Sequence, residues 1–119
     1  QVILNLLKNA AGAIGTREGG VIALSAFCND EEHVIVDVAN NGEPISEEVS
    51  HHIFVPFFTT KEHGSGIGLS VSRQIMRLHR GSLKLQHSTP RETRFRLVFR
   101  YCEKSAAPED GSTGFCVVL

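Results

Sequence analysis

Residues 1–14 read QVILNLLKNAAGAI, and two asparagines, Asn5 and Asn9, stand in that stretch one helical turn apart. Val2, Ile3, Leu6, Leu7, Ala10, Ala13 and Ile14 fall on one arc at about 3.6 residues per turn, which predicts a helix over 2–14 with that arc against a core. At about 100° per residue, Asn5 and Asn9 lie together on the border of the arc, beside Val2 and Ala13. A border position lets a polar side chain face a ligand cleft while its neighbours pack. Gly15 and the pair Gly19-Gly20 then end the helix.

Outward from this helix, 21–27 and 33–40 predict two strands joined by the turn Asn29-Asp30-Glu31-Glu32. Val34, Val36 and Val38 share one face of the second strand, and by period 2 Asn40 ends the same row, at the carboxyl end of the strand. Asn41-Gly42-Glu43-Pro44 is a turn, and Ser46 suits the cap of a short helix with Glu47 and Glu48 in its first turn. Phe54, Phe57 and Phe58 form an aromatic–proline cluster that reads as core and hinge before a polar, glycine-punctuated loop. A helix over 66–80 follows, with Ile67, Leu69, Val71, Ile75, Met76 and Leu78 as its apolar residues and Gly81 as the residue that stops it. The stretches 82–87 and 93–100 predict a hairpin. Thr93, Phe95, Leu97 and Phe99 point inward, and Arg94, Arg96 and Arg100 form a solvated face.

The 119 residues suffice for one domain with its own core, assigned to 1–101. Residues 102–119 form a C-terminal tail of linker composition that closes on the apolar run Phe115-Cys116-Val117-Val118-Leu119. A net charge of −1 without a basic face or tail argues against nucleic acid as a partner and against membrane contact. No apolar run approaches the roughly 20 residues that cross a bilayer. Cys28, Cys102 and Cys116 are odd in number and lack any C-x-x-C spacing, and they read first as free thiols of a reducing compartment, with a disulfide or metal role as the alternative. The chain opens at Gln1 inside an apolar-periodic segment and reads as cut from a longer protein, so a non-physiological dimer through the exposed edge or helix face is expected.

A nucleoside triphosphate needs an oxygen ligand for its magnesium, backbone N–H groups for its phosphates and a reader for its base. Asn9 offers an amide oxygen to an octahedral magnesium shell otherwise made of phosphates and waters. Gly64, Gly66 and Gly68 permit close backbone approach, and the helix after them begins with free N–H groups. Asn40 can accept from an adenine amino group through its side-chain oxygen. The glycine segment alone is weak evidence. It does not sit in a βαβ unit, and no Gly-Lys-Ser/Thr follows it.

Four motifs occur in order: Asn5-x-x-x-Asn9; Asn40-Asn41-Gly42-Glu43-Pro44-Ile45; Phe54-Val55-Pro56-Phe57-Phe58-Thr59-Thr60-Lys61; and Gly64-Ser65-Gly66-Ile67-Gly68-Leu69. Together they resemble the N, G1, F and G2 boxes of the ATP-binding domain of sensor histidine kinases, over about residues 1–100. Arg91-Glu92-Thr93-Arg94-Phe95 is similar to that family's terminal Gly-Thr-x-Phe strand, with Glu92 in the glycine's place.

The resemblance implies an α/β two-layer sandwich, its mixed, mostly antiparallel sheet covered by helices on one face. It implies Mg-ATP as cofactor, with Asn5, Lys8 and Asn9 as catalytic residues and Asn9 as the magnesium ligand. The nucleotide would be held by Asn5, Asn9, Asn40, Gly42, Ile45, Phe57, Thr60, Lys61, Gly64, Ser65, Gly66, Ile67, Gly68, Leu69 and Thr93. Gly42 would let the base approach the backbone. The phosphoryl acceptor would be a histidine on a separate dimeric helical domain of the same protein, with a response regulator downstream. The place of action would be the cytoplasm, on a parent protein that can be anchored in the bacterial inner membrane.

Two residues depart from the pattern. Asn40 stands where the family has an adenine-reading aspartate, a loss on the order of 1 kcal/mol because a charge-assisted hydrogen bond becomes a neutral one. Gly12 stands where relatives often carry a charged side chain and costs about 1 kcal/mol of helix propensity. Hydrolases of the wider superfamily place a glutamate general base where this chain has Asn5, which cannot take a proton at neutral pH, so transfer to an external acceptor fits better than hydrolysis. A hydrolase and an interaction module without nucleotide are the alternative readings. None of His33, His51, His52, His63, His79 and His87 has both a following acidic residue and a proline five residues on, so this chain is not expected to phosphorylate itself.

Overall fold

The computed structural model describes residues 1–58 and 67–100, together with the backbone of 115–118. Helix α1 spans Val2–Ile14, strand β1 Ile22–Cys28, strand β2 Val34–Asn40, helix α2 Glu47–Ser50 and helix α3 Gly68–Leu78. Strands β3 (Gly81–Ser88), β4 (Thr93–Phe99) and β5 (Phe115–Val118) follow. The expected elements are present, with ends moved by a residue or two. The apolar end of the tail, read as a segment that could dock, pairs with the sheet as β5 beside β1.

The sheet runs β3-β4-β2-β1-β5, and among the described residues every pairing is antiparallel, where a mixed, mostly antiparallel sheet had been expected. Helices α1 and α3 pack on one face, α1 over β2 and α3 over β3, and touch each other. Between the layers lie Leu6 and Ala10 of α1, Val36 and Val38 of β2, Met76 of α3, Leu83 of β3, Phe95 and Leu97 of β4, and Ile53. Burying each large apolar side chain contributes about 1.5–3 kcal/mol, and this seam fastens the helices to the sheet.

Central strand β2 is buried on both faces, since Ile35, Asp37 and Ala39 on the side away from the helices are as inaccessible as Val36 and Val38. The expected solvated arginine face is corrected here. Arg94 and Arg96 turn their guanidinium groups onto the buried carboxylate of Asp37, because a charge placed in a closed strand must be matched.

At the end of α3 the left-handed residue is Arg80, at φ 59°, where Gly81 had been expected. Gly81 begins β3 instead, and a Cβ there would lie 2.6 Å from the Val98 carbonyl oxygen and 2.8 Å from Cε of Met76. Close packing rather than a helix stop is what requires glycine. Cys28 is disulfide-bonded, where its spacing had suggested a free thiol.

Candidate nucleotide-binding site

Asn5 projects from the second turn of α1 toward α3. Its Nδ2 donates to Oγ of Ser72 at 3.1 Å, and its Oδ1 accepts from Nε2 of Gln1 at 3.4 Å. Ser72 is fully buried, a hydroxyl set into the apolar stripe of Leu69 and Met76. Asn9 lies one turn farther along α1, partly buried, and Lys8 beside it is exposed.

At the other end of the layer, Asn40 closes the inward row of β2 and stands opposite Thr93 of β4. Both are buried polar residues, at 6% and 3% exposure. Oδ1 of Asn40 accepts the backbone N–H of Gly42 at 2.9 Å. The hydroxyls of Thr93 and Ser88 lie 2.6 Å apart, and Ser88 Oγ accepts the N–H of Ile45 at 2.7 Å.

The loop after β2 is thereby tied to the β3–β4 hairpin, and further bonds fix its other side. Glu43 N–H donates to the Ala13 carbonyl at 2.9 Å, while Asn41 accepts from Val21 N–H and donates to the Gly19 carbonyl. Gly42 sits against the end of α1, and a Cβ on it would lie 2.5 Å from the carbonyl carbon and oxygen of Ala13. The approach of α1 by itself demands glycine here, beside the room the sequence reading gave to a base.

The remaining predicted residues fall in different places. Ile45 and Leu69 pack against the core cluster, Ile67 caps α3, and Gly68 is its first residue. Phe57 is 78% exposed at φ 67°, so it joins neither the core nor the group around Asn40; Phe54, by contrast, packs against the core and under the Arg73 guanidinium, 4.6 Å from its ring centroid. Thr60, Lys61, Gly64, Ser65 and Gly66 lie outside the described residues.

A charged network braces the opposite face of the sheet below Thr93. Asp37 accepts from Arg94 Nη1 at 3.0 Å and from Arg96 Nε and Nη2 at 2.8 and 2.9 Å. Arg94 also donates to Glu92 from Nη2 at 2.8 Å, and His87 Nε2 lies 2.6 Å from the same carboxylate. Burial alone would raise the Asp37 carboxyl, but the hydrogen bonds and charges of Arg96 and Arg94 hold it below its ordinary value. The bond from Arg94, with a smaller contribution from His87, holds Glu92 at about 2.

Sequence reasoning missed Ser72, Ser88 and Asp37. For Ser72 a signal was present: a small hydroxyl at helical spacing between Leu69 and Met76. Asp37 was legible as a carboxylate among Ile35, Val36 and Val38. Ser88 left no trace in its own stretch, because one partner, Ile45, is 43 residues away in sequence and the other, Thr93, meets it only through the pairing of β3 with β4.

The family model described as "Histidine kinase-, DNA gyrase B-, and HSP90-like ATPase" matches residues 1–103. Sporulation kinase D of Bacillus subtilis is 42% identical over 93 residues, 78% of this chain and 18% of that protein. Sensor histidine kinase ZraS of Salmonella typhimurium is 40% identical over 86 residues, 72% of this chain and 18% of that protein. Among solved structures, a nucleotide-free form of the catalytic domain of histidine kinase ThkA superposes with a TM-score of 0.70 at 38% identity, over 83% of this chain and 63% of that one. The chain thus spans less than a fifth of the length of these two curated relatives.

Proposed function

Since this chain belongs to the histidine kinase-, DNA gyrase B- and HSP90-like ATPase family, we propose that it binds Mg-ATP between α1, the end of β2 and the start of α3, as the catalytic domain of a sensor histidine kinase. In this reading the γ-phosphoryl group passes to a histidine on a separate dimeric helical domain of the parent protein. A response regulator receives it next.

The observation that carries the reading is the family match over 1–103, joined to the placement of Asn5 and Asn9 on one face of α1 with Asn5 held by α3. Asn9 would hold magnesium through its amide oxygen, phosphates and water completing the shell. Bound there, the ion offsets phosphate charge during transfer. Among the described residues no group of three or more His, Cys, Asp or Glu is placed to hold a metal without that help. Asn5 orients. Its Nδ2 is engaged by Ser72, and a carboxamide cannot deprotonate water, which favours transfer over hydrolysis. Lys8, Thr60, Lys61, Gly64, Ser65, Gly66, Ile67 and Gly68 complete the proposal around the phosphates, and Ile45 and Leu69 line the base side.

In the described residues no helix is long and apolar enough to cross a membrane. Attachment of the parent protein to a bacterial inner membrane, with this domain in the cytoplasm, belongs to the proposal. Titration of a non-hydrolysable ATP analogue with magnesium tests it: wild type should bind, and Asn9→Ala should lose the magnesium-dependent part of the affinity. Equal affinities would count against it.

A further inference from the structure

Asparagine followed by glycine is a chemically labile pair. With no side chain on the second residue, its backbone nitrogen can reach the side-chain carbonyl carbon of the first and close a cyclic imide. Asn41-Gly42 is the one such pair in the chain. In the fold, every group this reaction needs is already engaged. Oδ1 of Asn41 accepts the N–H of Val21 at 2.8 Å and Nδ2 donates to the Gly19 carbonyl at 2.9 Å, so partners of opposite kind fix both arms of the amide. The backbone N–H of Asn41 donates to the Val21 carbonyl at 3.3 Å. The attacking nitrogen, that of Gly42, is buried and donates to Oδ1 of Asn40 at 2.9 Å. Asn41 itself is exposed, so water reaches its amide while the nitrogen that must attack it is withheld.

We propose that Asn41-Gly42 is a self-modification site that this loop holds shut and that opening of the loop releases. The Gly42 nitrogen bonds to Cγ of Asn41 and gives up its proton, and Nδ2 leaves as ammonia. Water then opens the imide at either carbonyl and yields aspartate or isoaspartate. The net change is NH replaced by O, with water as the only co-reactant. Both products undo the lock. Aspartate sets an oxygen against the Gly19 carbonyl oxygen, where a donor stood before. Isoaspartate adds a methylene to the main chain at a place without slack, since even a Cβ on Gly42 would lie 2.5 Å from the Ala13 carbonyl. The modified loop therefore comes away from α1 and from the start of β1. Because the change is covalent, it accumulates with each opening of the loop.

The test incubates the chain at mildly alkaline pH, folded and in guanidinium chloride, and follows residue 41 by peptide mass mapping. The folded chain should convert roughly tenfold or more slower than the unfolded one, because closure waits on the breaking of several hydrogen bonds. Equal rates overturn the proposal. Asn40→Ala removes the acceptor of the Gly42 N–H and should speed conversion of the folded chain severalfold; a folded variant converting at the wild-type rate overturns it as well. The wild-type comparison decides the matter even where that variant does not fold. Chain converted while unfolded and returned to native buffer should melt at a lower temperature than unconverted chain taken through the same cycle. An unchanged Tm would show that this amide does not fasten the loop and would overturn the proposal too. None of these readouts uses a ligand, so their outcome is independent of the nucleotide reading above.

Discussion

Asn5 on α1 and Ser72 on α3, 67 residues apart in sequence, are joined side chain to side chain at 3.1 Å, and Ser72 has no exposed surface. This bond crosses the contact between the two helices that flank the proposed phosphate site. Ser72→Ala removes the acceptor and frees the Asn5 amide to turn. The expected cost is about 1 kcal/mol of stability, a few degrees in Tm, with a larger loss in affinity for a triphosphate than for adenosine alone. Thermal melts and parallel titrations with both ligands measure the split.

Gly42→Ala should be among the most damaging single-methyl additions in the described residues. The new carbon would meet α1 backbone at 2.5 Å, and backbone cannot rotate aside as a side chain can. A loss of about 1–3 kcal/mol is expected, with displacement of the loop that Asn40 caps. Urea unfolding of the variant gives the number, and a loss below a few tenths of a kcal/mol would contradict the packing described.

Asp37→Ala would leave Arg94 and Arg96 facing a gap in a closed strand. Breaking a buried ion pair costs about 3–5 kcal/mol, and the arginines here retain more than a quarter of their side-chain exposure, so about 2–3 kcal/mol is expected. Glu92→Gln, on the exposed end of the same network, should cost much less. Denaturant midpoints rank the two.

The same network predicts an acid limb of stability. Glu92 is lowered from 4.5 to about 2 in the folded chain, and Asp37 is lowered as well. Their contribution is full above the unfolded values and is lost as the pH falls from about 4.5 to about 2, since protonation then favours the unfolded chain. Wild type should lose stability through that window. Glu92→Gln should show a flatter profile there, and identical slopes would refute the assignment.

Chelation offers a further check on Asn9. With EDTA present, wild type and Asn9→Ala should bind an ATP analogue equally. With magnesium they should differ by about tenfold, the worth of roughly one good ligand contact. A difference that persists in EDTA would place the role of Asn9 outside cation binding.

Much of the fold was legible along the chain. The apolar arc of α1, the alternation of β2 and β4 and the stripe of α3 are local periodicities, and local periodicity decides which face is buried. The harder cases were those in which one residue's neighbour came from far away. Arg94 and Arg96 alternate outward as a solvated face would, and only the pairing of β4 with β2 puts Asp37 beneath them. Gly81 read as a helix stop because it follows α3, yet its constraint comes from Val98 on the neighbouring strand.

At the site the same division holds. Residue order alone determined that Asn5 and Asn9 share a helix border, that Asn40 ends an inward row and that Thr93 begins another, because side-chain direction follows from a residue's place in a helix or strand. Tertiary structure decided what each of these groups has left to offer a ligand. Asn40 gives its oxygen to Gly42, Thr93 shares its hydroxyl with Ser88, and Asn5 gives an N–H to Ser72. Hydrogen-bond capacity is finite and is claimed first by whatever lies within about 3 Å, and in a folded chain that neighbour is set by packing rather than by order.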